Sequence, residues 1–290
     1  MKNIGFIGLG NMGSRMALHL IKAGHNVEGF DTDEATVSEL SKVGLVKRET
    51  LNELVSNKDF IITMLPNGDV VESVVNKILD NLTDGSIIID CSTIDVNTVV
   101  KINSLLSDTG ITFLDAPVSG GTIGAENGTL TFMVGGDNES FLKIYPILDL
   151  MGSKSVYCGE VGSGQAVKLC NNMILAVTMI GVGEAFNMAK NLNVDLNVLY
   201  EVISTATGSC WAINNYCPIA GVGPQSPADN NFIPGFSAKL MSKDLKIAVN
   251  AAKDSKSNIK FGEMAEKLYT KMAEGINGNK DFSAIILDEN

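Results

Sequence analysis

Residues 2–31 read KNIGFIGLGNMGSRMALHLIKAGHNVEGFD, and this stretch decides the fold class. Lys2–Ile7 is apolar enough to predict a buried parallel strand. The glycine motif Gly8–Gly13 follows directly, a helical pattern comes next, and Val27–Phe30 predicts a second strand that ends at Asp31. This order of strand, glycine-rich turn, helix, strand and acidic residue is typical of the first half of a doubly wound α/β sheet.

The glycine motif has the GxGxxG spacing of a Rossmann-type dinucleotide-binding turn. Gly8 permits the tight turn, Gly10 lets the backbone approach a pyrophosphate, and Gly13 lets the helix pack close to the strand. The start of the helix then presents N–H groups and a positive dipole end to the phosphates. The other residues of the motif are also predicted to contact the cofactor: Leu9, Asn11 and Met12. The alternative is a glycine-rich turn without a ligand.

Asp31 favours NAD over NADP as the cofactor. A carboxylate at the end of the second strand can accept hydrogen bonds from both ribose hydroxyls, and it repels a 2′-phosphate. The next residues are Thr32, Asp33 and Glu34, so no arginine is placed to receive that phosphate.

Composition and charge exclude several classes of protein. The chain has 290 residues, a hydrophobic fraction of 45% and a net charge of −11, so it is neither disordered nor fibrous. The acidic balance argues against nucleic acid or an anionic membrane surface as the main partner. The five cysteines form no CxxC pair, which argues against a disulfide framework and a structural zinc site, and we predict no metal.

Neither a targeting signal nor a membrane-spanning segment is expected. A strand pattern begins almost at Met1. The longest apolar segment is interrupted by Lys168 and Glu184, and it falls short of the ~20 apolar residues that a bilayer requires.

The strand pattern continues in the first half of the chain. Further strands are predicted at 59–65, 86–90, 111–116, 130–135 and 155–158, with helices at 70–79 and 97–107. In open α/β sheets, ligands bind outside the carboxyl ends of the strands. The loops that begin at Pro66, Ser92 and Pro117 are therefore placed to meet a cofactor and a substrate.

The pattern changes after Gly162 and predicts a second domain. Ser163–Asn191 lacks proline and reads as one long helix, and the remainder shows helical patterns and little strand. We expect a Rossmann-type α/β domain at 1–162 and an all-α domain at 163–290, joined by this long interdomain helix. One segment, Asn214–Phe236, holds four of the seven prolines and is expected to be neither helix nor regular strand.

The sequence resembles the β-hydroxyacid dehydrogenase family over essentially its whole length. The resemblance is carried by GFIGLGNMG (5–13), ITMLP (62–66), STID (92–95), DAPVSGG (115–121), NGTLTFMVGG (127–136), GQAVKLCNNM (164–173) and KDL (243–245). Within the family, the stretch 208–236 is similar to the enzymes that act on 3-hydroxyisobutyrate. The resemblance implies oxidation of that hydroxyacid to methylmalonate semialdehyde with NAD, a step of valine breakdown.

The resemblance also implies roles for individual residues. Gly164, Lys168 and Asn172 match the signature GxxxKxxxN, in which the lysine transfers the proton of the substrate hydroxyl and the asparagine orients it. The residues similar to the loop that binds the substrate carboxylate are Ser119, Gly120 and Gly121. Lys243 matches a lysine near both cofactor and substrate. The residues that match the cofactor-lining loops are Leu65, Pro66, Asn67 and Thr93.

Elimination among dehydrogenase mechanisms favours the same lysine. The only histidines, His19 and His25, lie in and just after the first helix, so no histidine base is available in the second half of the chain. No tyrosine is followed by lysine at the spacing that short-chain dehydrogenases use. A lysine in a mostly apolar helix remains, and burial together with a cationic nicotinamide would lower its pKa enough to make it a base.

Two other readings stay open. The same scaffold supports reduction of tartronate, glyoxylate or succinic semialdehyde, and a non-catalytic dinucleotide-binding protein is a remote alternative. The long apolar helix and the helical C-terminal half predict a homo-oligomer, a homodimer or homotetramer, built mainly through the C-terminal domain. A bacterial source would place the protein in the cytoplasm, and a mature eukaryotic form would belong in the mitochondrial matrix.

Overall fold

The chain divides into two compact units, Met1–Lys168 and Leu169–Asn290, and the computed structural model describes residues 1–288. The first unit contains a sheet with helices on both faces. Its strands are β1 Asn3–Ile7, β2 Asn26–Phe30, β3 Val46–Lys47, β4 Phe60–Thr63, β5 Ile87–Asp90, β6 Thr112–Asp115, β7 Val118–Ser119, β8 Leu130–Gly135 and β9 Gly152–Gly159. Its helices are α1 Gly13–Lys22, α2 Glu34–Ser41, α3 Leu51–Val55, α4 Gly68–Ile78, α5 Val96–Leu106, α6 Gly121–Asn127 and α7 Asn138–Leu148.

The strand order is β3-β2-β1-β4-β5-β6-β8-β7, and β9 pairs with β8. The strands from β3 to β6 are all parallel, whereas β8 runs antiparallel to β6 and β7. The order changes direction at β1, beside β4, and this is where a doubly wound sheet binds its ligand. The predicted Rossmann-type architecture is confirmed.

Alternation along the strands builds one core on each face of the sheet. In β1, Ile4 and Phe6 join the core that includes α1 and α7, whereas Ile7 joins the core that includes α4 and α5. In β4, Ile62 belongs to the first of these cores and Ile61 to the second. Successive residues of a strand point to opposite faces, so apolar runs of this kind bury both faces of a parallel sheet.

The second unit is helical. Beyond the end of α8 Ser163–Asn191, its elements are α9 Leu196–Thr205, α10 Trp211–Tyr216, a 3₁₀ helix at Pro227–Asn230, α11 Ala238–Asp254, α12 Lys260–Glu274 and a 3₁₀ helix at Phe282–Leu287. The core of this unit includes Met179 and Phe186 of α8, Met241 of α11 and Tyr269 of α12. The predicted long helix and the all-helical C-terminal half are confirmed, and the boundary between the units lies inside α8.

Helix α8 departs from one expectation. It is long and apolar enough, by length and composition alone, to cross a membrane, a test that the core helix of a soluble protein also passes. Lys168, which was expected to interrupt the apolar run, is a buried residue of this helix, and so is Asn172. The expectation that the segment is too short or too polar to span a bilayer was therefore wrong.

Two local predictions also need correction. The segment 214–236 is not wholly irregular, because α10 extends to Tyr216 and a 3₁₀ turn forms at Pro227–Asn230. Proline at the start of that turn needs no N–H partner, and Ser226 and Asp229 complete a capping box around it. The second correction concerns the loop predicted to begin at Pro117. A short strand, β7, begins at the next residue, Val118, and α6 begins at Gly121.

Candidate active site

Two glycines of the turn after β1 are required by packing. Gly8 has a φ of +93°, and a side chain there would collide with the carbonyl oxygen of Met64. A side chain at Gly13 would collide with the carbonyl oxygen of Gly8. The start of α1 can therefore lie against the end of β1 only if both residues are glycine.

The third glycine of the motif has a different environment. Apart from Gly10 and its two chain neighbours, no atom of residues 1–288 lies within 4 Å of the position that a Cβ of Gly10 would take, so its small size is not required by the protein's own packing. Helix α1 begins at Gly13 without a side-chain hydrogen bond from Met12 and without an acidic residue in its first turn, within the described chain. A helix start without a side-chain cap, together with its positive dipole end, fits the phosphates of a dinucleotide.

The Asp31 carboxylate lies beside this turn. Its Oδ2 accepts a hydrogen bond from Leu9 N at 2.5 Å, and its Oδ1 accepts one from Asp33 N at 2.8 Å. The acidic end of β2 and the glycine turn are thus held together in the arrangement that ribose and pyrophosphate need. These residues fit a bound NAD.

Gly10→Ala separates packing from cofactor binding. We expect the variant to unfold at the wild-type temperature, because the added methyl meets no protein atom within 4 Å among the described residues. NAD binding should weaken roughly 10–100-fold, since overpacking costs typically 1–3 kcal/mol. Titration of NADH fluorescence alongside thermal unfolding checks both. Gly13→Ala is the matched control and should lose stability; equal NADH affinity in Gly10→Ala and wild type would contradict the prediction.

The loops after β4 and β5 hold the other residues predicted to line the cofactor: Leu65, Pro66, Asn67 and Thr93. These strands are parallel neighbours, so their loops leave the same edge of the sheet. Leu65 N donates a hydrogen bond to Ser92 Oγ at 2.8 Å, which ties the two loops together. Asn67 caps α4 by accepting a bond from Val70 N at 3.0 Å. Its side-chain oxygen therefore has a structural task, and its contact with a cofactor stays a prediction.

The predicted substrate loop makes a sharp corner between β7 and α6. Gly120 and Gly121 have φ values of +132° and +61°, in a region that side chains strongly disfavour. Ser119, the last residue of β7, is half-buried beside them. The backbone at this corner requires glycine, which agrees with a loop that approaches a ligand closely.

A pair of buried carboxylates lies under these loops, and sequence reasoning missed both. Asp90 and Asp115 are adjacent in the register of β5 and β6, at the carboxyl ends of the strands. Burial raises the pKa of Asp90 to about 6, and the Asp115 carboxylate shifts it in the same direction. Burial also raises the pKa of Asp115. Aspartate at the end of an apolar strand was the available signal.

Lys168 and Asn172 lie one helical turn apart on α8 and share one face of it. Lys168 is 7% exposed and Asn172 is 2% exposed. Long polar side chains are rarely buried to this degree unless they have partners or a chemical task.

Asp244 fixes the amide of Asn172, and sequence reasoning gave it no role. Asn172 Nδ2 donates a hydrogen bond to Asp244 Oδ2 at 2.7 Å, in a buried environment. Lys243 Nζ lies 3.4 Å from Asp244 Oδ1, so the carboxylate contacts two of the predicted site residues. The local signal was an aspartate within the apolar face of α11, between the buried Met241 and Ala248.

Comparison with known proteins gives one consistent result. Residues 3–159 match the family model described as the NAD binding domain of 6-phosphogluconate dehydrogenase. Residues 162–287 match the model described as NAD-binding of NADP-dependent 3-hydroxyisobutyrate dehydrogenase. The mitochondrial 3-hydroxyisobutyrate dehydrogenase of Drosophila melanogaster is 45% identical over 285 residues, covering 98% of this chain and 88% of its own. The chain belongs to the 3-hydroxyisobutyrate dehydrogenase family.

A solved structure supports the same assignment. The 3-hydroxyisobutyrate dehydrogenase of Mycobacterium tuberculosis, in a structure with L-serine, superposes with a TM-score of 0.96 at 42% identity. The match covers 100% of this chain and 99% of that one. The predicted family is confirmed, and the chain is an NAD-dependent dehydrogenase. The comparisons favour this reading over the other semialdehyde reductases and over a non-catalytic dinucleotide-binding protein.

Proposed function

We propose that the chain oxidises 3-hydroxyisobutyrate to methylmalonate semialdehyde, a step of valine breakdown, with Lys168 as the base. The observation that carries the proposal is the buried Lys168 one turn before Asn172, whose amide is held by Asp244. The family assignment supports the substrate class, since relatives from several lineages carry the name of this enzyme.

Each predicted residue has a defined task in this reaction. Bound NAD supplies the hydride acceptor. Lys168 takes the proton from the substrate hydroxyl as the general base. Asn172 uses one amide hydrogen for Asp244 at 2.7 Å, so the second can orient the substrate oxygen. The family resemblance assigns Ser119, Gly120, Gly121 and Lys243 to the substrate carboxylate, and it assigns Lys243 to the cofactor as well.

A substrate panel tests the proposal. Purified protein is assayed for NADH formation with 3-hydroxyisobutyrate, L-serine, glycerate and 4-hydroxybutyrate, the last two being the alcohols that form when tartronate semialdehyde and succinic semialdehyde are reduced. L-serine belongs in the panel because the relative from Mycobacterium tuberculosis was solved with it. We expect the highest kcat/KM with 3-hydroxyisobutyrate. A higher value with another member of the panel would replace the proposed substrate, and no NADH with any of them would overturn the proposal.

Cofactor choice is a prediction that rests on Asp31. We expect NAD to be preferred over NADP by ~100-fold in kcat/KM, because a 2′-phosphate against a carboxylate costs several kcal/mol. Asp31→Ser combined with Thr32→Arg should narrow or reverse the preference. Asp31→Ser alone should also weaken NAD, because Leu9 N loses its acceptor. Equal kcat/KM values for the two cofactors in wild type would contradict the prediction.

We infer that the chain forms a homodimer or homotetramer through its second unit. Helix α9 packs Leu199 and Ile203 against the core of that unit, while Val198 and Val202 are 53% and 57% exposed. An apolar face of this kind is typical of a surface that a second copy covers. Light scattering is expected to show at least a dimer, and a monomer at micromolar concentration would contradict this.

We infer the compartment from lineage. Relatives from Drosophila melanogaster and Mus musculus are named as mitochondrial enzymes. A eukaryotic source therefore predicts the mitochondrial matrix, and a bacterial source predicts the cytoplasm. Cell fractionation with an antibody against the chain distinguishes the two.

A further inference from the structure

The side chain of Gln165 holds the loop after β5 from both sides of Thr93. Gln165 is fully buried in the first turn of α8. Its Nε2 donates a hydrogen bond to Ser92 O at 2.8 Å, and its Oε1 accepts one from Ile94 N at 3.2 Å. The bonded backbone groups belong to the residues before and after Thr93, so one amide fixes the backbone around that residue.

The backbone of Gln165 is itself held by Asp115. Asp115 Oδ2 accepts a hydrogen bond from Gln165 N, and its Oδ1 accepts one from Gly162 N, both at 2.8 Å. The carboxylate at the end of β6 thus satisfies N–H groups at the start of α8, where helices lack partners of their own.

Two glycines make room for this carboxylate. A Cβ at Gly135 would lie 2.5 Å from Asp115 Oδ1, and a Cβ at Gly164 would lie 2.8 Å from Asp115 Oδ2. Neither position has space for a side chain. Glycine at both positions therefore allows close contact between the Asp115 carboxylate and the start of α8.

We propose that Gln165, held in place by Asp115, is a positioning residue for hydride and proton transfer. This inference rests on the proposed function, because it takes Lys168 as the base and Thr93 as part of the cofactor site. Lys168 follows Gln165 by three residues on the same helix. We call the hydrogen bonds from Gln165 to Ser92 and Ile94 the clamp. The clamp holds the start of α8, which carries the base Lys168, in a fixed position relative to the loop that carries Thr93. A misplacement of about 1 Å in such an arrangement can cost 10²-fold in rate.

Gln165→Met tests the clamp, because methionine has a similar length and forms neither hydrogen bond. Ser86→Ala is the matched control. It removes a buried bond from Ser86 Oγ to Lys58 O, 2.8 Å long, just before β5 and so at the opposite end of that strand. The control should lose stability and keep its kcat.

The first readout does not depend on activity. In the apo protein, hydrogen exchange of the Ile94 amide should accelerate in Gln165→Met and stay at the wild-type rate in Ser86→Ala. Unchanged exchange in Gln165→Met would overturn the clamp, whichever hydroxyacid proves to be the substrate.

The second readout is kinetic, with whichever hydroxyacid turns over. We expect kcat of Gln165→Met to fall ~10–100-fold, with NADH affinity retained and a larger deuterium isotope effect from substrate labelled at the carbinol carbon. A fall no greater than that of Ser86→Ala would overturn the positioning role. An inactive wild type would instead overturn the proposed function, and the exchange experiment would still decide the clamp.

Gln165→Glu covers the case in which the methionine variant does not fold. Its carboxylate can still accept from Ile94 N, but it cannot donate to Ser92 O unless it is protonated. The ratio of its kcat to that of wild type should therefore rise as the pH falls. A ratio independent of pH would contradict a positioning role for the Nε2 donor.

Discussion

Lys168→Ala is expected to lower kcat by 10²–10⁴-fold, the range that a positioned general base contributes. Lys168 is 7% exposed on α8, so bulk water is poorly placed to take over the proton. NADH affinity should be retained, because the groups that fit the cofactor are the glycine turn 8–13 and Asp31. Stopped-flow turnover with saturating NAD and hydroxyacid, together with NADH titration, measures both quantities.

Two further variants keep this result interpretable. Lys168→Arg should restore little, because a guanidinium stays charged and cannot accept the proton. Lys190→Ala removes an exposed lysine from the last turn of the same helix and should keep wild-type kcat. A Lys168→Ala variant that retains more than about a tenth of kcat would direct the search for the base to Lys243.

The parts of the fold that could be predicted are those with strong local patterns. The apolar runs around β1, β4 and β5 alternate between two cores, and each is followed by turn residues that end the strand. Gly8 and Gly13 are dictated by contacts within the first turn and its neighbouring strand, so their spacing carries the information. Helix α8 lacks proline over 29 residues, and its length followed from that alone.

Other parts depend on contacts between distant residues and left a weaker local signal. Gln165 binds Ser92 across 73 positions, and Asn172 binds Asp244 across 72. The hydrophobic periodicity of the sequence does not predict such pairs. The only local sign of them is a polar residue within an otherwise apolar segment. The corner at Gly120 could not be predicted for a similar reason. Its glycines are equally typical of an irregular loop, and the strand β7 before them forms through its pairing with the distant β8.

Buried carboxylates are the clearest case in which local sequence misleads. Asp90 ends an isoleucine-rich strand, and nothing nearby in sequence indicates whether water reaches it. In the fold, its Oδ1 accepts bonds from Thr63 Oγ1 at 2.7 Å and Ser92 N at 3.2 Å. Its Oδ2 is buried and accepts none from residues 1–288. Hydrogen bonds therefore stabilise the negative charge of Asp90 at only one of its two carboxylate oxygens.

This environment gives Asp90 a definite effect on stability. Burial raises its pKa to about 6 from an ordinary value of 3.8. Between these two pH values, the native protein keeps a proton that the unfolded chain has lost. The stabilising contribution of the protonated form is therefore fully present below about pH 4 and is lost as the pH rises through 6. At pH 7 the raised pKa therefore lowers the free energy of unfolding by roughly 3 kcal/mol relative to its value below about pH 4.

Asp90→Asn should remove this pH dependence. The amide cannot ionise, so the unfolding free energy of the variant relative to wild type should rise between pH 4 and pH 7 by up to ~3 kcal/mol. Urea unfolding at a series of pH values measures the difference. Asp59→Asn is the control of opposite sign, because hydrogen bonding by Asn3 N lowers the pKa of Asp59 and its charged form stabilises the fold. Its stability relative to wild type should fall as the pH rises to about the ordinary value of 3.8, and should stay nearly constant from about pH 5 to pH 7. A constant difference for Asp90→Asn would mean that the carboxylate stays ionised throughout, with its charge balanced by the hydrogen bonds from Thr63 and Ser92.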